Sequence, residues 1–167
     1  MKILMPTLLI LILSGCVPFF PDMTLAPRDA QREFTYDFVV AGKSKSEIWK
    51  SARDFFAETY GDSRAVFRVM DEQDGTIIGR GASGWSLFEA SSSTCVTDYH
   101  VRFAAKDNKA RLQFEIIEGV PPHSPCTGWP WPTQKGYDAI TQSFAGTASS
   151  LNVVLLGQSP GGKLKDF

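Results

Sequence analysis

Between residues 95 and 118 the side chains alternate in polarity almost without interruption, and this restricts the fold more than any other feature. Tyr99, Val101 and Phe103 fall on one side, against Asp98, His100 and Arg102. After a turn at 106–109, Leu112, Phe114 and Ile116 share a side against Arg111, Gln113 and Glu115. A helix cannot sort residues with period two, whereas successive strand side chains point to opposite faces. Two neighbouring strands with one apolar and one polar face predict an antiparallel sheet solvated on one side.

The rest of the chain extends that sheet. Phe34, Tyr36, Phe38 and Val40 alternate with Thr35 and Asp37, which predicts a strand over 34–40 broken at Gly42. Residues 65–70 and 76–81 flank Asp74-Gly75, a dipeptide suited to a hairpin turn. The stretch 82–93 is rich in serine and glycine and is expected to be irregular. Two segments have helical spacing instead. Ser44 with Glu47 forms a capping box, and Ile48, Trp49, Ala52, Phe55, Phe56 and Tyr60 then make one stripe that ends at Gly61 and Asp62. Tyr137, Ile140, Phe144, Ala148, Leu151 and Leu155 make another, predicting a helix over 135–156. Two amphipathic helices need an apolar surface, and the sheet offers one. The fold class expected is α+β: a five-stranded antiparallel sheet with both helices on one face, in the order β-α-β-β-β-β-α.

The N-terminus predicts an address. Lys2 precedes a run over 3–13 that is apolar apart from Pro6 and Thr7. About eleven residues are too few to span a bilayer, which takes ~20, so a signal peptide is favoured. Leu13-Ser14-Gly15-Cys16 follows and resembles the lipobox of bacterial lipoproteins. The resemblance implies removal of residues 1–15, lipidation of Cys16 and anchoring in a membrane. Two or more acyl chains give stable anchoring. Val17 rather than an acidic residue after the cysteine points, by likeness to enteric lipoproteins, to the outer membrane facing the periplasm. Residues 16–33 hold three prolines and no periodicity, so they read as a flexible tether, with a domain over 34–157 and a polar tail over 158–167.

Cysteine and charge counts fit that address. With Cys16 lipidated, Cys95 and Cys126 remain, an even pair suited to a disulfide in an oxidising compartment. The mature chain would carry 16 basic and 18 acidic residues, a balance that excludes general nucleic-acid binding. Two cysteines and the distant His100 and His123 do not have metal-site spacing, so neither a metal nor any other cofactor is expected.

Several words between residues 38 and 84 carry a family likeness: Val40-Ala41-Gly42-Lys43-Ser44-Lys45, Ile48-Trp49, Asp71-Glu72-Gln73-Asp74-Gly75 and Ile78-Gly79-Arg80-Gly81. Together they resemble the bacterial envelope family of uncharacterised domains with a TATA-binding-protein-like (TBP-like) fold. The resemblance implies fold geometry over roughly 33–156 and brings neither catalytic residues nor DNA binding. The Cys95–Cys126 pair and the Trp-Pro loop at 129–132 have no match in it.

Catalytic patterns fail on inspection. Gly42-Lys43-Ser44 lacks the glycine a phosphate loop needs five residues earlier, where Asp37 stands. A strand end and helix cap explain the lysine and serine better. No nucleophile elbow or zinc helix is present, and a Ser–His–Asp site would have to use His100 or His123. Two binding surfaces stand out. Arg68, Arg80, Arg102 and Arg111 interleave with Asp37, Asp98 and Glu115 on the face opposite the core. A solvated face has the same pattern, although arginine at all four positions tilts towards recognition. Trp129-Pro130-Trp131-Pro132, near Tyr137, could present two indoles on a stiff loop to a glycan or a protein, or could fold them over the core. The leading expectation is a non-catalytic lipoprotein that binds an envelope component, with protein favoured. A glycan- or small-ligand-binding module comes second and an unrecognised hydrolase third.

Overall fold

The computed structural model describes residues 23–61, 66–87 and 94–158. The signal segment, Cys16 and most of the polar tail lie outside the described residues. The elements are β1 (Glu33–Val39), α1 (Lys45–Thr59), β2 (Phe67–Asp71), β3 (Thr76–Ser86), β4 (Thr94–Lys106), β5 (Lys109–Ile116) and α2 (Gln134–Leu155). The strands form one antiparallel sheet in the order β1-β5-β4-β3-β2. Helix α1 therefore carries the chain from one edge of the sheet to the other. The meander β2 to β5 brings it back beside β1.

Local chemistry sets the ends of these elements. Ser44 accepts from the Glu47 amide while the Glu47 carboxylate accepts from the Ser44 amide, so both groups of the expected capping box are in place. Asp74-Gly75 makes the β2–β3 turn, with Gly75 at φ +72°. The lysine of Gly42-Lys43-Ser44 is structural, because Lys43 Nζ donates to the Leu155 carbonyl and closes the C-terminus of α2.

Both helices pack on one face. Helix α1 buries Ile48, Trp49, Ala52, Phe55 and Phe56, and α2 buries Ile140, Phe144, Ala148, Leu151 and Leu155. The sheet supplies Phe38, Ile77, Tyr99, Val101, Phe103, Leu112 and Phe114 beneath them. Phe144 stacks on Phe114 with ring centroids 4.3 Å apart and meets Tyr99 edge-on at 4.9 Å.

Two expectations need correction. Strand β3 does not stop at Gly81 but runs on to Ser86, into the segment expected to be irregular, paired throughout with β4, while residues 88–93 lie outside the described residues. The glycines there leave room for large neighbours. A Cβ on Gly81 would overlap the Tyr99 ring, and one on Gly136 of α2 would lie 2.7 Å from the Trp85 indole. Tyr99 of β4 fills the space at Gly81, so β3 beyond Arg80 looks sparse apart from Trp85. The expected tether is also shorter than 16–33. Leu25 bridges Thr133, Ala26 N donates to Pro132 O at 3.0 Å, and Gln134 N donates to Thr24 O at 2.8 Å. These bonds clip residues 24–26 to the start of α2.

Candidate functional site

Two regions hold the residues singled out by sequence: the open face of the sheet and the loop between β5 and α2. On the open face, strand alternation brings Asp37, Asp98, His100, Arg102, Arg111, Gln113 and Glu115 together with Arg80, as expected. Register then pairs the arginines with acids. Arg111 lies directly opposite Asp37 and donates from Nε at 2.6 Å and Nη2 at 2.9 Å, a two-point grip. That hydrogen bond, aided by the charges of Arg111 and Lys109, holds the Asp37 carboxyl below the usual carboxylate range. Arg80 reaches diagonally to Asp98 at 2.6 Å, and Arg102 to Glu115 at 2.8 Å. Gln113 donates to Glu33. Arg68 differs: it sits at the irregularity where the β2–β3 register shifts between Phe67 and Val69, and among the described residues it forms no ion pair. Three of the four arginines thus have their charge answered within the sheet.

Apolar side chains missed in the sequence lie between them. Val69 and Ile78 are directly paired and are 42% and 38% exposed, beside Arg68, Arg80 and Arg102. Alternation between Ile77 and Gly79 places Ile78 on the polar face, whereas Val69 joins it only through the register shift after Phe67, which alternation does not reveal. Two shallow concavities flank β1. One, of about 520 Å³, lies at the corner formed by Val39, Ala104, Lys106, Lys109 and Arg111. The other, of about 700 Å³, runs between β1 and α2.

The Trp-Pro loop is not the exposed platform that a glycan reading requires. Trp131 is 3% exposed, with the Arg32 guanidinium over its ring at 5.0 Å and Tyr137 at 6.3 Å. Among the described residues its Nε1 has no hydrogen-bond partner. Trp129 is half-buried against Trp85, whose own Nε1 donates to Thr97 at 2.9 Å. Tyr137 uses its hydroxyl on the Gln31 carbonyl at 2.8 Å. The loop goes inwards because it is fastened. Cys126 is disulfide-bonded to Cys95 of β4, with Cα atoms 5.4 Å apart, and Ser124 Oγ accepts from the amides of Val96 and Cys126. A cross-link over this separation stabilises by ~3.5 kcal/mol in the chain-entropy picture.

The histidines stand apart. His100 is on the open face of β4 and His123 is exposed in the loop. Among the described residues neither imidazole hydrogen-bonds to a serine or a carboxylate, and no group of three or more His, Cys, Asp or Glu could hold a metal ion. No described helix is long and apolar enough to cross a membrane.

Known structures share this geometry. A TBP-like protein from Parabacteroides distasonis superposes with a TM-score of 0.53 at 13% identity, covering 71% of this chain and 91% of its own. A DUF4468 family protein from Bacteroides ovatus superposes with a TM-score of 0.55 at 16% identity, covering 83% and 94%. At such identities the likeness is one of fold. No curated protein sequence matches the chain. The family described as a domain of unknown function (DUF4468) with TBP-like fold matches residues 34–118, which run from β1 through the whole meander, and the chain belongs to that family.

Proposed function

We propose that this chain is a lipid-anchored protein of the bacterial cell envelope whose domain docks, without catalysis, onto another envelope protein. The anchor rests on Leu13-Ser14-Gly15-Cys16 behind a short apolar run. Lipid on Cys16 would leave only eight residues to Thr24, a reach of at most about 28 Å. The domain would then sit close to the bilayer with the Trp-Pro loop end towards it and the β4–β5 turn pointing away. The outer membrane is the favoured site because Val17 follows the cysteine.

The observation that carries docking is the Val69–Ile78 strip framed by Arg68, Arg80 and Arg102 on a sheet face that no described helix covers. An apolar centre rimmed by arginine is the usual anatomy of a protein interface. The glycan reading loses its main support with Trp131 buried. The hydrolase reading has no acid–base pair assembled among the described residues to build on.

Two experiments test the proposal. Cys16→Ala should release the protein from membranes or leave an uncut precursor, and unchanged membrane-bound mature protein would refute lipidation. A photo-crosslinking residue at Ile78 in living cells should give one discrete protein adduct that Arg102→Glu abolishes. If it gives only the diffuse background seen from Gln142 on the solvent side of α2, docking at this face is wrong.

A further inference from the structure

We propose that two copies of the chain join edge to edge through β1, making one antiparallel sheet of twice the width. The backbone of β1 shows which of its groups remain free. Val40 N donates to Asn108 O, and Arg32 O accepts from Ile116 N. Even-numbered residues therefore face β5, while Glu33, Thr35, Asp37 and Val39 turn their N–H and C=O groups away from the sheet. Among the described residues no strand pairs with that edge, although the Glu33 carbonyl accepts from Gln31 Nε2 at 2.7 Å. The opposite edge is guarded, since β2 is five residues long with a register shift at Arg68. Strand β1 is seven residues, in unbroken register with β5, and contains neither proline nor lysine. Such an edge is a template for another strand. Behind it the 700 Å³ groove leaves Tyr36 half-buried against Ala145, Ser149 and Asn152 of α2. Those short side chains would let a second α2 lie alongside.

Charge selects the occupant and the register. Hydrogen bonding across a twofold axis requires outward-facing residues to lie opposite one another. An axis at Thr35 sets Glu33 against Asp37, and an axis at Asp37 sets that carboxylate against itself. An axis at Tyr36 sets Glu33 against Val39 and Thr35 against Asp37. That register sets no acid directly opposite another, places a hydroxyl beside each Asp37, and engages all four outward residues. The strand is thus complementary to itself over its full length.

The test is cysteine cross-linking of the full chain in mild detergent. Tyr36 would face its twin as a non-hydrogen-bonded pair with Cα atoms about 4.5 Å apart, within reach of a disulfide. Tyr36→Cys should form a covalent dimer far beyond wild type, while Glu33→Cys should stay at background. Adding Thr35→Pro removes an outward N–H from each copy without touching the β5 ladder, and should lower the dimer yield about tenfold or more. If Tyr36→Cys impairs folding, judged by thermal melting, the solvent-facing pair Thr35→Cys/Asp37→Cys decides instead. Yields at the wild-type level, or equal yields from Glu33→Cys, would overturn the proposal.

Discussion

The two faces of the sheet are built from the same strands, residue by residue, and they obey different physics. The covered face is held by shape. Phe114, Phe144 and Tyr99 fit one another ring to ring, and Phe103 meets Phe56 of α1 edge-on. The open face is held by cancellation: Arg111 with Asp37, Arg80 with Asp98, Arg102 with Glu115. Packing in a dry interior is intolerant of lost volume, while exposed ion pairs contribute little in water. The fold therefore depends on one face, and the other is free to be spent on recognition.

Four measurements would sharpen or break that contrast. Phe114→Ala should lower stability in urea unfolding by about 4 kcal/mol, because it removes the ring that Phe144 stacks on. A loss below ~1 kcal/mol would mean that the covered face tolerates cavities and the contrast fails. Trp131→Ala should cost about 3 kcal/mol, since the ring belongs with the buried set. Trp131→Phe should cost much less than Trp85→Phe, because Trp85 donates its indole N–H to Thr97 whereas that of Trp131 has no partner within the described residues.

The third measurement is alkaline titration. The hydroxyls of Tyr60 and Tyr99 meet at 3.1 Å in the covered layer, and burial pushes both above the ordinary tyrosine value of 10.0. A raised folded-state pKa stabilises below the unfolded value and is lost above it. Stability should hold to about pH 9 and fall beyond pH 10, as the unfolded chain releases protons that the folded one keeps. Tyr99→Phe should make that fall shallower by about one proton, and an unchanged slope would show the hydroxyls to be hydrated. The smallest effect is expected on the open face, where Arg102→Ala should change stability by less than ~1 kcal/mol. A larger loss would mark the ion pairs as structural.

The sequence made the faces legible but not the partners across them. Alternation assigned Asp37 and Arg111 to one side, and Phe38 and Leu112 to the other, because side-chain direction is a local property of a strand. The Asp37–Arg111 grip depends on register between strands 74 residues apart, which no local pattern encodes. Ser44 and Glu47 announced their cap because both partners lie within one turn. Strand β3 hid its second half because Gly81 and Gly84 contribute space rather than bulk, with Tyr99 of β4 filling the space at Gly81 and Trp85 the one large side chain of that half. Trp131 misled for a related reason. A proline-rich loop looks exposed until the Cys95–Cys126 cross-link and the chain at 24–26 fasten it inwards.

The clip at Leu25 and Thr133 has a mechanical consequence. Strand β1 lies at the sheet edge, so tension drawn along the N-terminal chain would otherwise unzip it from β5 one hydrogen bond at a time. The bonds from Ala26 to Pro132 and from Gln134 to Thr24 take that pull first. They pass it into the start of a 22-residue helix seated on the core. The clip works as a strain relief on a cable: what tugs at residue 23 reaches the sheet only after the clip has given way.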